Sequence, residues 1–361
     1  MPYLKIDSKN FFYNYEIILS KIKDKNKIAI VLKDNAYGHG ILEISQLVAK
    51  VGIHHAFVKN AAEALKIAES FKTITILYPF SLDFKNAQDS SLNKAIKHDN
   101  IYICAASLES LQTLPKNTKI ELKIDSGMHR NGIAKEQLEQ AFLIIKKQGL
   151  ILKGVFTHNG YGDEISSAFY TQNMEFSQIK REVLELCKIY SLEIPRFHSL
   201  SSSGALRIHN FKAKDSADSS FMQDDLYRFG IAFYGYDCTN FLNLPLKPIA
   251  SLYAKKISTL PLKKGANIGY SGVSVLEKDC AISTYDIGYG DGFFRLRENM
   301  EFFSAEGFRI LPRVSMDCLS AISDEEEICI FNSVEKLAKL FNTIPYEILS
   351  HLHAYIPRII V

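Results

Sequence analysis

The sequence predicts an α/β protein, an N-terminal (β/α)8 TIM-type barrel followed by a mainly-β domain. Three observations lead there. From Lys27 to about Gly235 a short apolar run is repeatedly followed by a stretch of helical period, which signals parallel strands joined by crossover helices. Eight such runs can be counted, the number that closes a β/α barrel. After Tyr236 the rhythm changes to short or alternating β-rich runs separated by turn residues, with no further crossover helices.

Taken in order, Tyr3-Leu4-Lys5-Ile6 reads as a strand that pairs with the later β domain. Residues 1–7 are therefore grouped with 238–361, and the barrel is assigned to 8–237. The barrel strands are expected at Ile28 to Leu32, His55 to Val58, Thr75 to Tyr78, Ile101 to Ala105, Glu121 to Ile124, Gly154 to Thr157, Arg196 to Ser199 and Phe229 to Tyr234. Between them, stretches such as Ala61 to Ala68 and Phe176 to Leu184 have the composition and period of amphipathic helices. In the second domain, strands are expected at Ile249 to Ile257, Cys280 to Asp286, Phe308 to Val314 and Glu327 to Ile330, with one helix around Ser333 to Phe341.

Composition narrows the function classes. With 361 residues and 47% hydrophobic content the chain can fill two cores. Its 43 basic and 40 acidic residues are dispersed, leaving a formal charge of +3 and no basic block to track a phosphate backbone, so a nucleic-acid partner is not expected. No apolar run approaches the ~18 residues that span a bilayer, and the charged amino terminus lacks the apolar core of a signal peptide. A cytoplasmic protein without a membrane partner is expected. The six cysteines lie far apart with no Cys-x-x-Cys pair, so neither a disulfide framework nor a metal site is expected.

Chemistry is concentrated at the ends of the barrel strands, where barrel enzymes build their catalytic face. Lys33 ends the run Ile28-Ala29-Ile30-Val31-Leu32 and opens Lys33-Asp34-Asn35-Ala36-Tyr37-Gly38-His39-Gly40. An amine placed there can form a Schiff base with an aldehyde cofactor if burial lowers its pKa, and the Tyr-Gly-His-Gly turn can meet a phosphate with hydroxyl and backbone N–H groups. Other strand ends supply Lys123, Asp125 and Arg130, then His158, then His198 to Gly204, then Arg228. Singly each has an ordinary reading, as a surface cation, a core histidine or a turn-forming serine. Together, on five strand ends, they point to one cavity.

Six segments, Lys33 to Gly40, Asp125 to Gly132, His198 to Gly204, Arg228-Phe229-Gly230-Ile231, Gly269-Tyr270-Ser271-Gly272 and Ser315-Met316-Asp317, resemble in order the motifs of the pyridoxal-phosphate-dependent alanine racemase family. The resemblance covers nearly the whole chain and carries the same fold. It implies interconversion of L- and D-alanine by two bases, with D-alanine destined for peptidoglycan. Lys33 would hold pyridoxal 5'-phosphate and act as one base. Tyr270, contributed across a homodimer interface, would be the other, supported by His158 and Arg228. The cofactor would be bound by Lys33, Tyr37, His158, Ser202, Arg228, Gly230 and Ile231. Arg130 and Met316 would take the substrate carboxylate, Tyr289 would narrow the entrance, and Asp317 would be an active-site acid. Lys123 stands where the family often carries a carbamylated lysine.

The match departs from the family at three places. Asp34 replaces the alanine after the cofactor lysine, Ser201 replaces an asparagine, and Ala354 stands where a phosphate-binding tyrosine precedes Pro357 by three residues, with Tyr355 one place later. A missing phosphate contact is expected, with Tyr355→Phe leaving cofactor retention near normal. Other readings are a broader racemase for serine, lysine or arginine, a decarboxylase of the same architecture, or a cofactor-carrying barrel. The β domain and Tyr270 favour the enzyme over the carrier.

Overall fold

The computed structural model describes residues 1–79, 90–210, 223–239 and 241–361. After the opening strand Tyr3–Ile6 (β1) come eight parallel strands: Ile28–Val31 (β2), His55–Val58 (β3), Thr73–Ile76 (β4), Ile101–Ala105 (β5), Lys119–Lys123 (β6), Ile151–Phe156 (β7), Arg196–His198 (β8) and Tyr227–Phe229 (β9). They pair in chain order, and β9 returns to lie beside β2. A bridge between Ser201 and Arg228 and a 2.8 Å bond from Asp225 N–H to the Phe197 carbonyl join the remaining edge, completing the ring. Every residue of β2 is buried, as expected of a strand covered on both faces.

The crossover helices follow their sequence signals. Asn60 caps Ala61–Lys66 by accepting from Glu63 N–H. The apolar stripe from Phe176 to Leu184 is the middle of a longer helix, Ser167–Tyr190.

The fifth and sixth barrel strands start earlier than expected, at Lys119 and Ile151, and two others are shifted. The third begins at Thr73, two residues early, because polar Lys72 and Thr73 disguise its start; Leu77 and Tyr78 leave the strand to line a cavity. The eighth is Tyr227–Phe229, and the apolar run after it is a buried turn in which Phe233 N–H bonds the Gly230 carbonyl and Tyr234 N–H the Ile231 carbonyl. A fully buried turn is as apolar as a buried strand, so composition alone does not separate them.

The second sheet is built from Ala250–Leu262 (β10), Asn267–Ile268 (β11), Ser274–Val275 (β12), Cys280–Tyr285 (β13), Phe302–Phe303 (β14), Arg309–Leu311 (β15), Leu319–Ile322 (β16), Glu327–Phe331 (β17) and Arg358–Ile360 (β18), with β11 and β12 forming a separate hairpin. Register shifts divide the long β10: its first part pairs with β1 and β17, its second with β13. As expected, β1 belongs to this sheet, antiparallel to β10 and parallel to β18. The expected helix after Ser333 is Glu335–Leu340, and a second, Pro345–His351, follows it. One cluster of buried apolar side chains runs from the barrel through Tyr234 and Tyr236 into Leu252, Ile328 and Leu349, so barrel and β sheet share a core. No described helix is long and apolar enough to cross a membrane.

Candidate functional site

Lys33 emerges from β2 into a backbone that L-residues seldom adopt. Asp34, Asn35 and Ala36 all have φ of 54°, and Tyr37 has φ of 52°, forming one left-handed turn. Such a turn costs roughly 1–2 kcal/mol per residue and persists only where its surroundings enforce it. Here Asn35 N–H donates to Glu63 Oε1 at 2.9 Å, Asn35 Oδ1 accepts from Ile41 N–H at 2.9 Å, and Lys59 pairs with Asp34 at 2.6 Å. From the β sheet, Arg358 donates twice to the Gly38 carbonyl, at 2.8 and 3.1 Å. The Lys33 amine lies 5.7 Å from the centre of the Tyr37 ring. Burial lowers its pKa, with Arg130 and Lys59 acting in the same direction and Asp34 against them.

The turn faces a cavity of about 440 Å³ lined by Lys33, Tyr37, Lys123, Arg130, His158, Ser202, Arg228, Gly230 and Ile231. Nine of the site residues read from the sequence are thus brought together. Arg228 is buried in its floor. Its Nη2 donates to the carbonyls of Thr157 and Ser199 at 2.8 and 3.0 Å and lies 3.4 Å from His158 Nδ1, while Nη1 lies 2.5 Å from His198 Nδ1. At one end Ser202 Oγ accepts from Gly230 N–H at 3.0 Å. A Cβ on Gly230 would stand 2.6 Å from Tyr37 Oη, so only glycine leaves the backbone this close to the phenol. Burial holds Tyr37 well above the usual phenol range, as a neutral donor. Burial also takes Lys123 down to about 8, and its amine hydrogen-bonds Asn131 Oδ1.

Burial keeps three histidines around the site neutral: His158, also opposed by Arg228, falls to about 3, and His198 and His39 to about 4. Folded values below the unfolded one near ~6.5 mean that the unfolded chain takes up protons first as pH falls. Stability is therefore complete above about pH 6.5 and lost progressively toward pH 4. The melting temperature is expected to drop across that window, less steeply in His39→Asn, which circular dichroism melts at stepped pH will check.

Four expected site residues do not reach this cavity. Tyr270, Tyr289 and Met316 are 60%, 40% and 54% exposed, and Asp317 is exposed beside them. They lie on neighbouring loops of the β sheet: Tyr289 N–H bonds the Ser315 carbonyl at 3.0 Å and Gly290 N–H the Met316 carbonyl at 2.7 Å. Tyr270 sits in a one-turn helix entered through Gly269 at φ 73°, with Ser271 at φ 62°.

The cavity also contains residues the sequence did not single out. Tyr346, just inside the Pro345–His351 helix, lines it and packs 5.6 Å from the Tyr37 ring. Pro345 at the first helical position marks that helix, but nothing local tells that it reaches the barrel mouth. Tyr355 instead turns away, its hydroxyl 3.0 Å from the Gly290 carbonyl and 2.9 Å from Asp291 Oδ1. Tyr355→Phe is expected to leave cofactor retention near normal, whereas Tyr346→Ala will lower it about 10-fold or more by opening the wall behind Tyr37. Equilibrium dialysis of both variants measures this.

The sequence matches the family description "Alanine racemase, N-terminal domain" over residues 6–238 and "Alanine racemase, C-terminal domain" over residues 249–360. An alanine racemase of a Nitratiruptor species is 41% identical over 360 residues, 99% of each chain. One of Campylobacter curvus is 35% identical over 358 residues, again 99% of each. Among solved structures, an alanine racemase from E. faecalis superposes with a TM-score of 0.80 at 25% identity, covering 100% of this chain and 98% of that one. One from Clostridium difficile 630 gives 0.84 at 24% identity, covering 100% and 95%, a likeness of fold.

Proposed function

The chain belongs to the alanine racemase family and is an isomerase acting as an alanine racemase, and we propose that it works by two bases, Lys33 of one protomer and Tyr270 of its partner, around bound pyridoxal 5'-phosphate. The single observation that carries this reading is the half-buried Lys33 amine in a cavity whose other end is a Tyr37, Ser202 and Gly230 cradle. That cradle offers hydroxyl and backbone N–H groups to a phosphate, and the amine stands ready for an aldehyde, so the residues present fit the cofactor. When bound, the cofactor supplies an electron sink that acidifies the α-hydrogen of the substrate.

The chain's own residues do the rest. Burial raises the fraction of Lys33 that is neutral and able to take a proton at Nζ. Racemisation needs a second base on the opposite face. Tyr270 is exposed and absent from its own cavity lining, which suits a residue offered to a second copy of the chain. Tyr289, Met316 and Asp317 share that exposed surface, and we assign them with Tyr270 to the partner's entrance in a homodimer. Residues 238–361 with the first strand would thus complete the site that the barrel, residues 8–237, begins. Arg130 suits the substrate carboxylate, as a planar guanidinium at the cavity. Lys123, with an amine near neutrality, suits the orientation of that arginine, as a carbamate or as the amine bonded to Asn131. Small side chains fit a cavity walled by Leu77, Tyr78 and Phe156, and D-alanine for peptidoglycan is the product we infer.

The test is to incubate the purified protein with pyridoxal phosphate and L-alanine and follow both enantiomers by chiral chromatography, with Lys33→Ala and Tyr270→Phe as controls. Approach to an equal mixture, lost in both variants, supports the two-base assignment. A bound, borohydride-reducible cofactor without D-alanine would overturn it.

A further inference from the structure

Beneath the cavity, the barrel interior holds charged groups that face no substrate. Glu121 on β6, Gly154 on β7 and Arg196 on β8 are register partners across three adjacent strands. A Cβ on Gly154 would come within 2.6 Å of Glu121 Oε1, so its absence lets Glu121 reach across β7 to Arg196. Arg196 Nε and Nη2 both converge on Glu121 Oε1 at 2.6 Å. Arg196 is anchored in turn by Thr73 Oγ1 and Thr75 Oγ1, at 3.0 and 3.2 Å. The other carboxylate oxygen, Oε2, lies 3.2 Å from Nε2 of fully buried His198. His198 is clamped between rings, stacked on Phe156 at 4.8 Å and edge-on to Phe57 at 5.1 Å.

The hydrogen-bond pattern admits one tautomer. A carboxylate only accepts, so Nε2 carries the proton, and Nδ1 presents a lone pair to Arg228. We propose that Glu121 is a positioning residue of the racemase, which through His198 turns that lone pair toward Arg228 and fixes the guanidinium in the cavity floor. The inference rests on the reading of Arg228 as a cofactor-facing residue, and it adds to it the element that holds Arg228 from below. His198 is neutral at working pH because burial, with Arg228 and Arg196 in support, outweighs the pull of Glu121.

Glu121→Gln tests the chain of contacts. Both Arg196 donors point at Oε1, so the amide oxygen stays there and the NH2 group replaces Oε2. His198 then meets a donor at Nε2 and must carry its proton on Nδ1, against the Arg228 N–H. Imidazole 15N shifts of the whole protein, with His198→Asn to assign the signal, are expected to report Nε2–H in the wild type and Nδ1–H in E121Q. Alanine racemase kcat is expected to fall about 10- to 100-fold, on the scale of losing the orienting partner behind a metal ligand, with KM changed less. An inverted tautomer with unchanged kcat would overturn the positioning role, and so would a fall in kcat with the Nε2–H pattern intact.

If E121Q does not fold, the double variant E121M/R196M removes the pair without leaving a buried charge unpaired. Its melting temperature near the wild type with kcat lowered supports the proposal, and full kcat refutes it. A wild type that gives the Nε2–H signal but no turnover would instead count against the reading of function.

Discussion

In the proposed homodimer, co-expressed Lys33→Ala and Tyr270→Phe subunits are expected to recover about a quarter of the wild-type activity by random pairing, with no racemisation expected from either variant alone. In a mixed dimer one site inherits both defects and the other inherits neither. Half of the dimers are mixed and half of their sites are intact, which gives the quarter. The expectation follows from Tyr270 being exposed at 60% and missing from the lining of its own cavity. The chiral assay on the unfractionated mixture measures the quarter, and on mixed dimers isolated by tandem tags it should give about a half. Persistent inactivity of mixed dimers would place both bases in one subunit's site, and an active Tyr270→Phe homodimer would remove Tyr270 from the chemistry.

Gly38→Ala is expected to cost more than about 3 kcal/mol and to abolish cofactor retention, through strain and overpacking acting together. Gly38 has φ of +81°, and a Cβ there would lie 2.0 Å from the Leu349 carbonyl oxygen and 2.9 Å from its carbon. Neither neighbour is a flexible side chain that could yield. The substitution therefore forces apart the Lys33 turn and the Pro345–His351 helix, the same junction that carries Tyr346 into the cavity. Urea melts with absorbance of the bound cofactor will read both effects, and a wild-type midpoint would show that the junction tolerates separation.

What the sequence could disclose depended on how local the cause was. Strands β2, β3 and β5 were readable because strands buried along nearly their whole length are built mostly of apolar residues, and their bounds agree closely. The strand Leu319–Ile322 was not, since its small and hydroxyl side chains carry a weak pattern, and Arg358–Ile360 hid behind Pro357 in the last residues. Lys33 and its glycine-rich turn were legible as chemistry, but four consecutive left-handed residues were not, because Glu63, Lys59 and Arg358 enforce them from elsewhere in the chain. In the sequence Glu121 and Arg196 do no more than open two expected strands. Only their register across Gly154 reveals a buried pair, and register is a property of the assembled barrel. Tyr346 was missed for the same reason, being far from the barrel in sequence.

The apolar cluster shared by the barrel and most of the β sheet couples the two parts, with a small cluster of Ile268, Leu276, Ile282 and Leu311 outside it. Heating is then expected to leave no intermediate in which a folded barrel keeps its lysine turn while the sheet is lost, because that intermediate would expose the shared core. A lesion on the distant face of the sheet would lower the population of the competent lysine turn as surely as one beside it. Loss-of-function substitutions would therefore scatter over the whole chain, and distance from the cavity would be a poor guide to their severity.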